Sequence, residues 1–200
     1  MEEEKTPDTT TEKATTSSAV LPKKLGQPSA SEDSAAPYPD MALAQDIHRL
    51  TVHAPGVDAA AVLNKVATEL ENPGLYIHLQ SLLGSAAAGG GSLSEADLKA
   101  LQDKNAKHME ELEAKVEDAK ENAGDMEVMD ARINVARFAA KALSKEEALG
   151  AYQKFLDLPK VSSGKKIDAM MESSRVASFY GDEKKSTEFI ESVRSNFCWW

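Results

Sequence analysis

Large apolar residues recur at intervals of three and four along most of this chain, the spacing of one helical face, and Pro, Gly and Asn interrupt the pattern. Asp40 stands where its side chain can cap a first helix, whose stripe is Leu43, Ile47 and Leu50. After Pro55-Gly56, Asp58 opens a second helix with Val62, Leu63, Val66, Ala67 and Leu70 on one side. Asn72-Pro73-Gly74 breaks the chain again before Leu75, Tyr76, Leu79, Leu82 and Leu83. Residues 38–83 therefore predict three short helices, each with one buried face.

Residues 84–92, GSAAAGGGS, read as a Gly-rich flexible linker. They lack the Gly-Lys-Ser/Thr end that a phosphate-binding loop feeds into a helix. The stretch 93–124 then predicts one long charged helix. Ser94 is its cap, Asp97 stands at the capping-box position, and Leu93 and Leu98 have the spacing of a hydrophobic staple. Leu98, Leu101, Met109, Leu112 and Val116 form a narrow stripe, with charges around the rest and Glu111 one turn from Lys115. Such a helix packs along a partner helix. Gly124 is expected to end it in the left-handed conformation.

Residues 125–196 predict two helical hairpins. Asp125 is the expected cap of the first helix, which runs to about Leu143 with Met129, Ile133, Val135, Ala136, Phe138 and Ala139 buried. Ser144 and Glu147 make a capping box for its partner, which stops at Pro159. That partner places Ala148, Tyr152 and Phe155 on one face. The small residue admits a neighbouring helix and the aromatics fill the space beside it, the packing of tetratricopeptide-like stacked hairpins. The second pair spans about Lys165 to Tyr180 and Asp182 to Arg194, where Ser186, Ile190 and Val193 repeat the small-large-large spacing 38 residues on.

The flanks differ. Residues 1–37 are Thr-, Ser-, Glu-, Lys- and Pro-rich with almost no large apolar side chains, the composition of a disordered tail. Residues 197–200, Phe197-Cys198-Trp199-Trp200, form an atypical aromatic terminus, expected of a shortened version of a longer chain. The fold class is all-α: a helical hairpin (tetratricopeptide-like) repeat array with a long charged helix and a disordered N-terminal tail.

The net charge of −10 argues against a non-specific nucleic-acid binder, which needs a basic surface to release counterions. The one cysteine, Cys198, excludes an internal disulfide and suits a reducing compartment, and no apolar run reaches the roughly 20 residues that span a bilayer. His48, His53, His78 and His108 fall outside metal-ligand spacings and read as surface or groove residues. The carboxylates Glu110, Glu111, Glu113, Glu117 and Asp118 read as a solvated face, and Met126, Met129, Met170 and Met171 as core. No catalytic, cofactor-binding or metal-binding residue is nominated, nor a small-molecule substrate, nucleic-acid or membrane partner.

Three stretches carry a resemblance. Tyr38 to Gln45 is similar to the Pro-Asp-hydrophobic-Ala-Gln opening of the first helix in the regulatory particle non-ATPase subunit seven family of proteasome lid subunits. Glu110 to Gly124 resembles that family's acidic helix ending in Asn-Leu-Gly, and Ala140 to Lys154, with Lys145-Glu-Glu-Ala-Leu149, resembles its hairpin. The resemblance runs from about Tyr38 to Asn196, interrupted by the Gly-rich insert. It implies a non-catalytic scaffold of the lid, in the cytoplasm and nucleus, with other lid subunits and the base ATPases as partners. It also implies a C-terminal PCI domain, for which the chain leaves no room. Subunit one of the COP9 signalosome shares this helical region, although the acidic helix and hairpin stand closer to the proteasomal form. An orphan interaction module and an enzyme of a helical class are further alternatives; a buried pocket with convergent polar groups would mark the enzyme.

Overall fold

The computed structural model describes residues 39–53, 56–84 and 93–197. The tail 1–37, the linker beyond Gly84 and the terminal Cys198-Trp199-Trp200 lie outside these residues. The described residues form eight α-helices and no strand: α1 (Met41–Thr51), α2 (Ala59–Lys65), α3 (Pro73–Leu83), α4 (Glu95–Asn122), α5 (Asp125–Ala142), α6 (Lys145–Leu156), α7 (Ser163–Phe179) and α8 (Glu183–Phe197). The fold is all-α.

Side-chain caps start most of them. Asp40 Oδ1 accepts the Ala42 and Leu43 amides at 2.9 and 3.4 Å, and Asp58 Oδ1 accepts Ala60 N–H at 3.0 Å. Ser94 and Ser162 cap α4 and α7 through their third helical amides, each such cap contributing about 1 kcal/mol. The Ser144–Glu147 capping box of α6 is complete: Glu147 Oε2 accepts both the amide and the hydroxyl of Ser144.

Between α4 and α5 the expectation fails. Gly124 is extended, with φ −97° and ψ 175°, not left-handed, and it rather than Asp125 is the N-cap residue of α5. Its N–H donates to Glu127 Oε2 at 3.1 Å, so the carboxylate three residues on does the capping. Asp125 turns outward to Lys160.

Two apolar cores result. Leu43, Val66, Leu75, Tyr76 and Leu79 centre the first, among α1, α2 and α3, and Phe179 from the end of α7 joins it. Ala136, Ala139, Ala148, Tyr152, Phe155, Ala169 and Val176 centre the second, among α5, α6 and α7. The Ala148, Tyr152 and Phe155 face is buried as its spacing predicts. Burying an aromatic of this size contributes about 1.5–3 kcal/mol.

Helices α4 to α8 stack in sequence, each packed on the one before. Three ion pairs, Asp125–Lys160, Asp130–Lys165 and Arg137–Glu172, join positions 35 residues apart; the first reaches the turn before α7, and the other two run from α5 to α7 in parallel register. Lys145–Asp182 ties the starts of α6 and α8 in the same way. The turn between α7 and α8 closes on serines: Ser186 Oγ lies 2.9 Å from Ser174 Oγ and 2.7 Å from Ser178 Oγ, so small side chains let the helices approach.

Several apolar side chains depart from the periodic reading. Leu82, Met126, Met171 and Ile190 are all exposed, although periodicity places Leu82 in a stripe, the methionines in the core, and Ile190 on a buried face. Of that second small-large-large set only Ser186 is buried. Met129 is the methionine that the core takes in fully.

Candidate interaction surface

The join between the first three helices and the stack is made by two asparagines. Helix α2 continues as a π-helical turn, Val66–Leu70, and ends on Glu71 in the left-handed region at φ 51°. That conformation is unfavourable for a residue with a Cβ. It is held from α4: Lys104 Nζ lies 2.6 Å from both carboxylate oxygens of Glu71, and Asn105 Nδ2 donates to the Glu71 carbonyl at 2.9 Å. Asn105 is 4% exposed, and the same Nδ2 donates to Ala142 O at 3.2 Å.

Asn72 mirrors it. It is 2% exposed; Oδ1 accepts Leu75 N–H at 2.8 Å as the cap of α3, and Nδ2 donates to Lys141 O at 2.8 Å and Leu143 O at 3.2 Å. Three successive carbonyls at the end of α5, which have no acceptor role within the helix, thus take side-chain donors. Gly74 completes the contact, because a Cβ there would lie 3.1 Å from Ser144 N. Tyr180 closes the other side, its hydroxyl donating to Leu143 O at 3.4 Å and its ring meeting His78 edge-on at 5.5 Å. Burial pushes the Tyr180 phenol up to about 12.

The sequence alone singles out neither asparagine. For Asn105 a signal exists: it fills the vacant place in the α4 stripe between Leu101 and Met109. For Asn72 the signal is its place before Pro73, the residue type that starts a helix at N1.

A second polar cluster spans the stack. Glu172 on α7 accepts from Arg137 Nε and Nη2 at 3.2 and 2.7 Å and from the Tyr152 hydroxyl at 2.8 Å. Burial, then the Glu172 charge and hydrogen bond, hold the Tyr152 phenol well above its ordinary range. Arg132 on α5, 8% exposed, grips Glu113 on α4 through Nη1 at 2.9 and 2.7 Å, while its Nε has no partner. The groups of these two clusters tie neighbouring helices together.

The histidines are dispersed. His108 meets Phe138 edge-on at 4.5 Å and sits 3.3 Å from Glu111, which therefore faces His108 and not Lys115. His53 Nδ1 lies 3.2 Å from Leu50 O on an exposed turn. His78 is half-buried, and burial and then Lys145 lower its pKa. Among the described residues no three His, Cys, Asp or Glu side chains are grouped to hold a metal ion, and no helix is long and apolar enough to cross a membrane.

Two open grooves flank Asn105. One, of about 770 Å³, lies between α4 and α5 and is lined by Lys104, Lys107, His108, Glu111, Phe138 and Lys141 among others. The other, of about 430 Å³, runs between α4, the start of α3 and the α5–α6 turn, with Ala106, Met109, Ala142 and Leu143 in its apolar part and Glu147 on α6 in its lining. Open grooves between stacked helices, joined by ion pairs from one repeat to the next, define a helical-repeat protein of the kind that presents surfaces to other proteins.

A model of the family described as 26S proteasome subunit RPN7 matches residues 94–197, from the Ser94 cap of α4 to the end of α8. The match covers just over half the chain, and the chain belongs to this family. It is also similar to the 26S proteasome non-ATPase regulatory subunit 6 homolog of Arabidopsis thaliana, with 24% identity over 160 residues. That alignment covers 80% of this chain and 40% of the relative, so the chain spans well under half of the relative's length.

Proposed function

We propose that the chain is a non-catalytic scaffold of the 26S proteasome regulatory particle lid, supporting ubiquitin-dependent degradation through protein–protein contacts. The observation that carries this is the coincidence of the family match with the α4–α8 stack, Ser94 to Phe197. The polar side chains inside the stack are taken up in holding helices together, which suits a structural role. Its partners are other lid subunits and, through them or directly, the base ATPases; its compartments are the cytoplasm and nucleus.

Glycerol-gradient sedimentation of a cell extract tests the proposal. A lid scaffold sediments with the regulatory particle, well ahead of a free 21.5 kDa chain. Sedimentation wholly as a free chain, or with the signalosome, overturns it.

A further inference from the structure

The groove between α4, the start of α3 and the α5–α6 turn is chemically one-sided. Its walls are Pro73, Ala106, Met109, Ala142 and Leu143, and among the described residues no lysine, arginine or histidine lines it. Glu147 stands at its edge, using Oε2 for the cap of α6 and leaving Oε1 as an acceptor. Glu110, one turn beyond Ala106 on α4, is exposed, whereas Glu146 beside Glu147 lies 3.6 Å from Lys145. The volume of about 430 Å³ suits a few apolar side chains of a short segment, not a folded domain. Carboxylates beside an apolar floor attract a cationic segment to a chain whose net charge is already −10.

We propose that this groove docks a short basic amphipathic segment of a partner protein. A Leu, Met or Ile side chain occupies the floor between Met109 and Leu143, and flanking Lys or Arg side chains face Glu147 and Glu110. This deepens the scaffold reading, on which it rests, by naming the partner chemistry that one face of the array accepts.

The test is fluorescence anisotropy of a labelled amphipathic Leu/Lys helical peptide titrated with the full chain and three variants. Ala106 is exposed, so Ala106→Arg fills the groove with a like-charged cation without disturbing the core. Glu147→Gln removes the charge yet keeps a capping-box residue. Glu117→Gln removes an exposed α4 carboxylate that does not line the groove. Binding is expected to be lost in Ala106→Arg, to weaken about two- to five-fold in Glu147→Gln, and to stay unchanged in Glu117→Gln. Circular dichroism melts verify that each variant is folded, and Gln102→Arg at the open rim replaces Ala106→Arg if that variant is not.

Undiminished binding by the folded groove variant, or equal weakening by Glu117→Gln and Glu147→Gln, overturns the proposal in favour of diffuse charge attraction. A concentration-dependent dimer abolished by Ala106→Arg overturns it too, making a second copy the occupant. The two readings separate cleanly: groove-specific peptide binding by a chain that never sediments with the lid leaves the groove and removes the scaffold role. Lid co-sedimentation without groove-specific binding does the reverse.

Discussion

Asp130 and Lys165, 35 residues apart in the chain, meet at 2.7 Å on parallel helices. Asp125–Lys160, which reaches the turn before α7, and Arg137–Glu172 have the same separation, so the repeat period is written in the ion pairs that join α5 to α7 and its entry turn. It lies close to the roughly 34-residue period of tetratricopeptide hairpins. Across α6 and α8 the step from Lys145 to Asp182 is 37 residues. Each exposed pair contributes only about 0–1 kcal/mol, so the 35-residue offset shared by the first three reports the register more than the stability.

Stability at the join rests on the asparagines. Asn72→Leu and Asn105→Leu each leave buried carbonyls without donors and are expected to cost about 1–3 kcal/mol in urea denaturation. Because the two side chains serve neighbouring carbonyls, Lys141 to Leu143, the double variant should depart from additivity. Strictly additive costs would mean that they do not act as one unit.

Two glycines should respond in opposite directions to alanine. Gly150 lies within α6, and a methyl group added there would meet nothing within 4 Å, so Gly150→Ala is expected to stabilise by about 0.5–1 kcal/mol. Gly74→Ala brings a methyl to 3.1 Å from Ser144 N and 3.3 Å from Ser144 Cα, both backbone atoms. It should destabilise by about 1–3 kcal/mol through forced separation of α3 from the α5–α6 turn. Thermal melts of the pair check the sign of each.

The Glu172 cluster makes a graded prediction. Tyr152→Phe removes one hydroxyl donor and keeps the ring, with an expected cost of about 0.5–1.5 kcal/mol. Tyr152→Ala also empties a site that is 1% exposed and should cost about 3–5 kcal/mol. Similar losses for the two would mean that packing contributes little there.

Alkaline titration reads the buried phenols. The native pKa of Tyr180, about 12, lies above its ordinary value of 10.0, so folding favours the neutral form. Its contribution is fully present below about pH 10 and is lost as pH rises toward 12. Ultraviolet difference spectra should show Tyr152 and Tyr180 resisting ionisation until the fold opens. Full ionisation of every tyrosine near pH 10 in a still-helical chain would contradict this burial.

Much of the helical architecture was legible because local signals agreed with one another. Asp40, Asp58, Ser94 and Ser144 are capping types placed directly before periodic stripes, and all four act as caps. The surface was less legible, since periodicity marks a face without saying whether another helix covers it. Ile190 continues a stripe yet is 48% exposed, and Met126 and Met171 likewise face outward. The join was least legible of all. Its central residues are polar, and in a sequence Asn105 reads as a break in the α4 stripe until the carbonyls of Glu71 and Ala142 are brought to it. The π-helical turn before Glu71 has no periodic signature distinct from the helix it extends.

Affinity purification of the tagged chain from the cells that encode it, followed by quantitative mass spectrometry, reads the proposed assembly into the lid. A Tyr152→Ala variant, disrupted within the stack, is the control. Proteasome lid subunits are expected to be recovered with the intact chain and lost with the variant. Recovery of no proteasome subunit by the intact chain, or of signalosome subunits in their place, would contradict it.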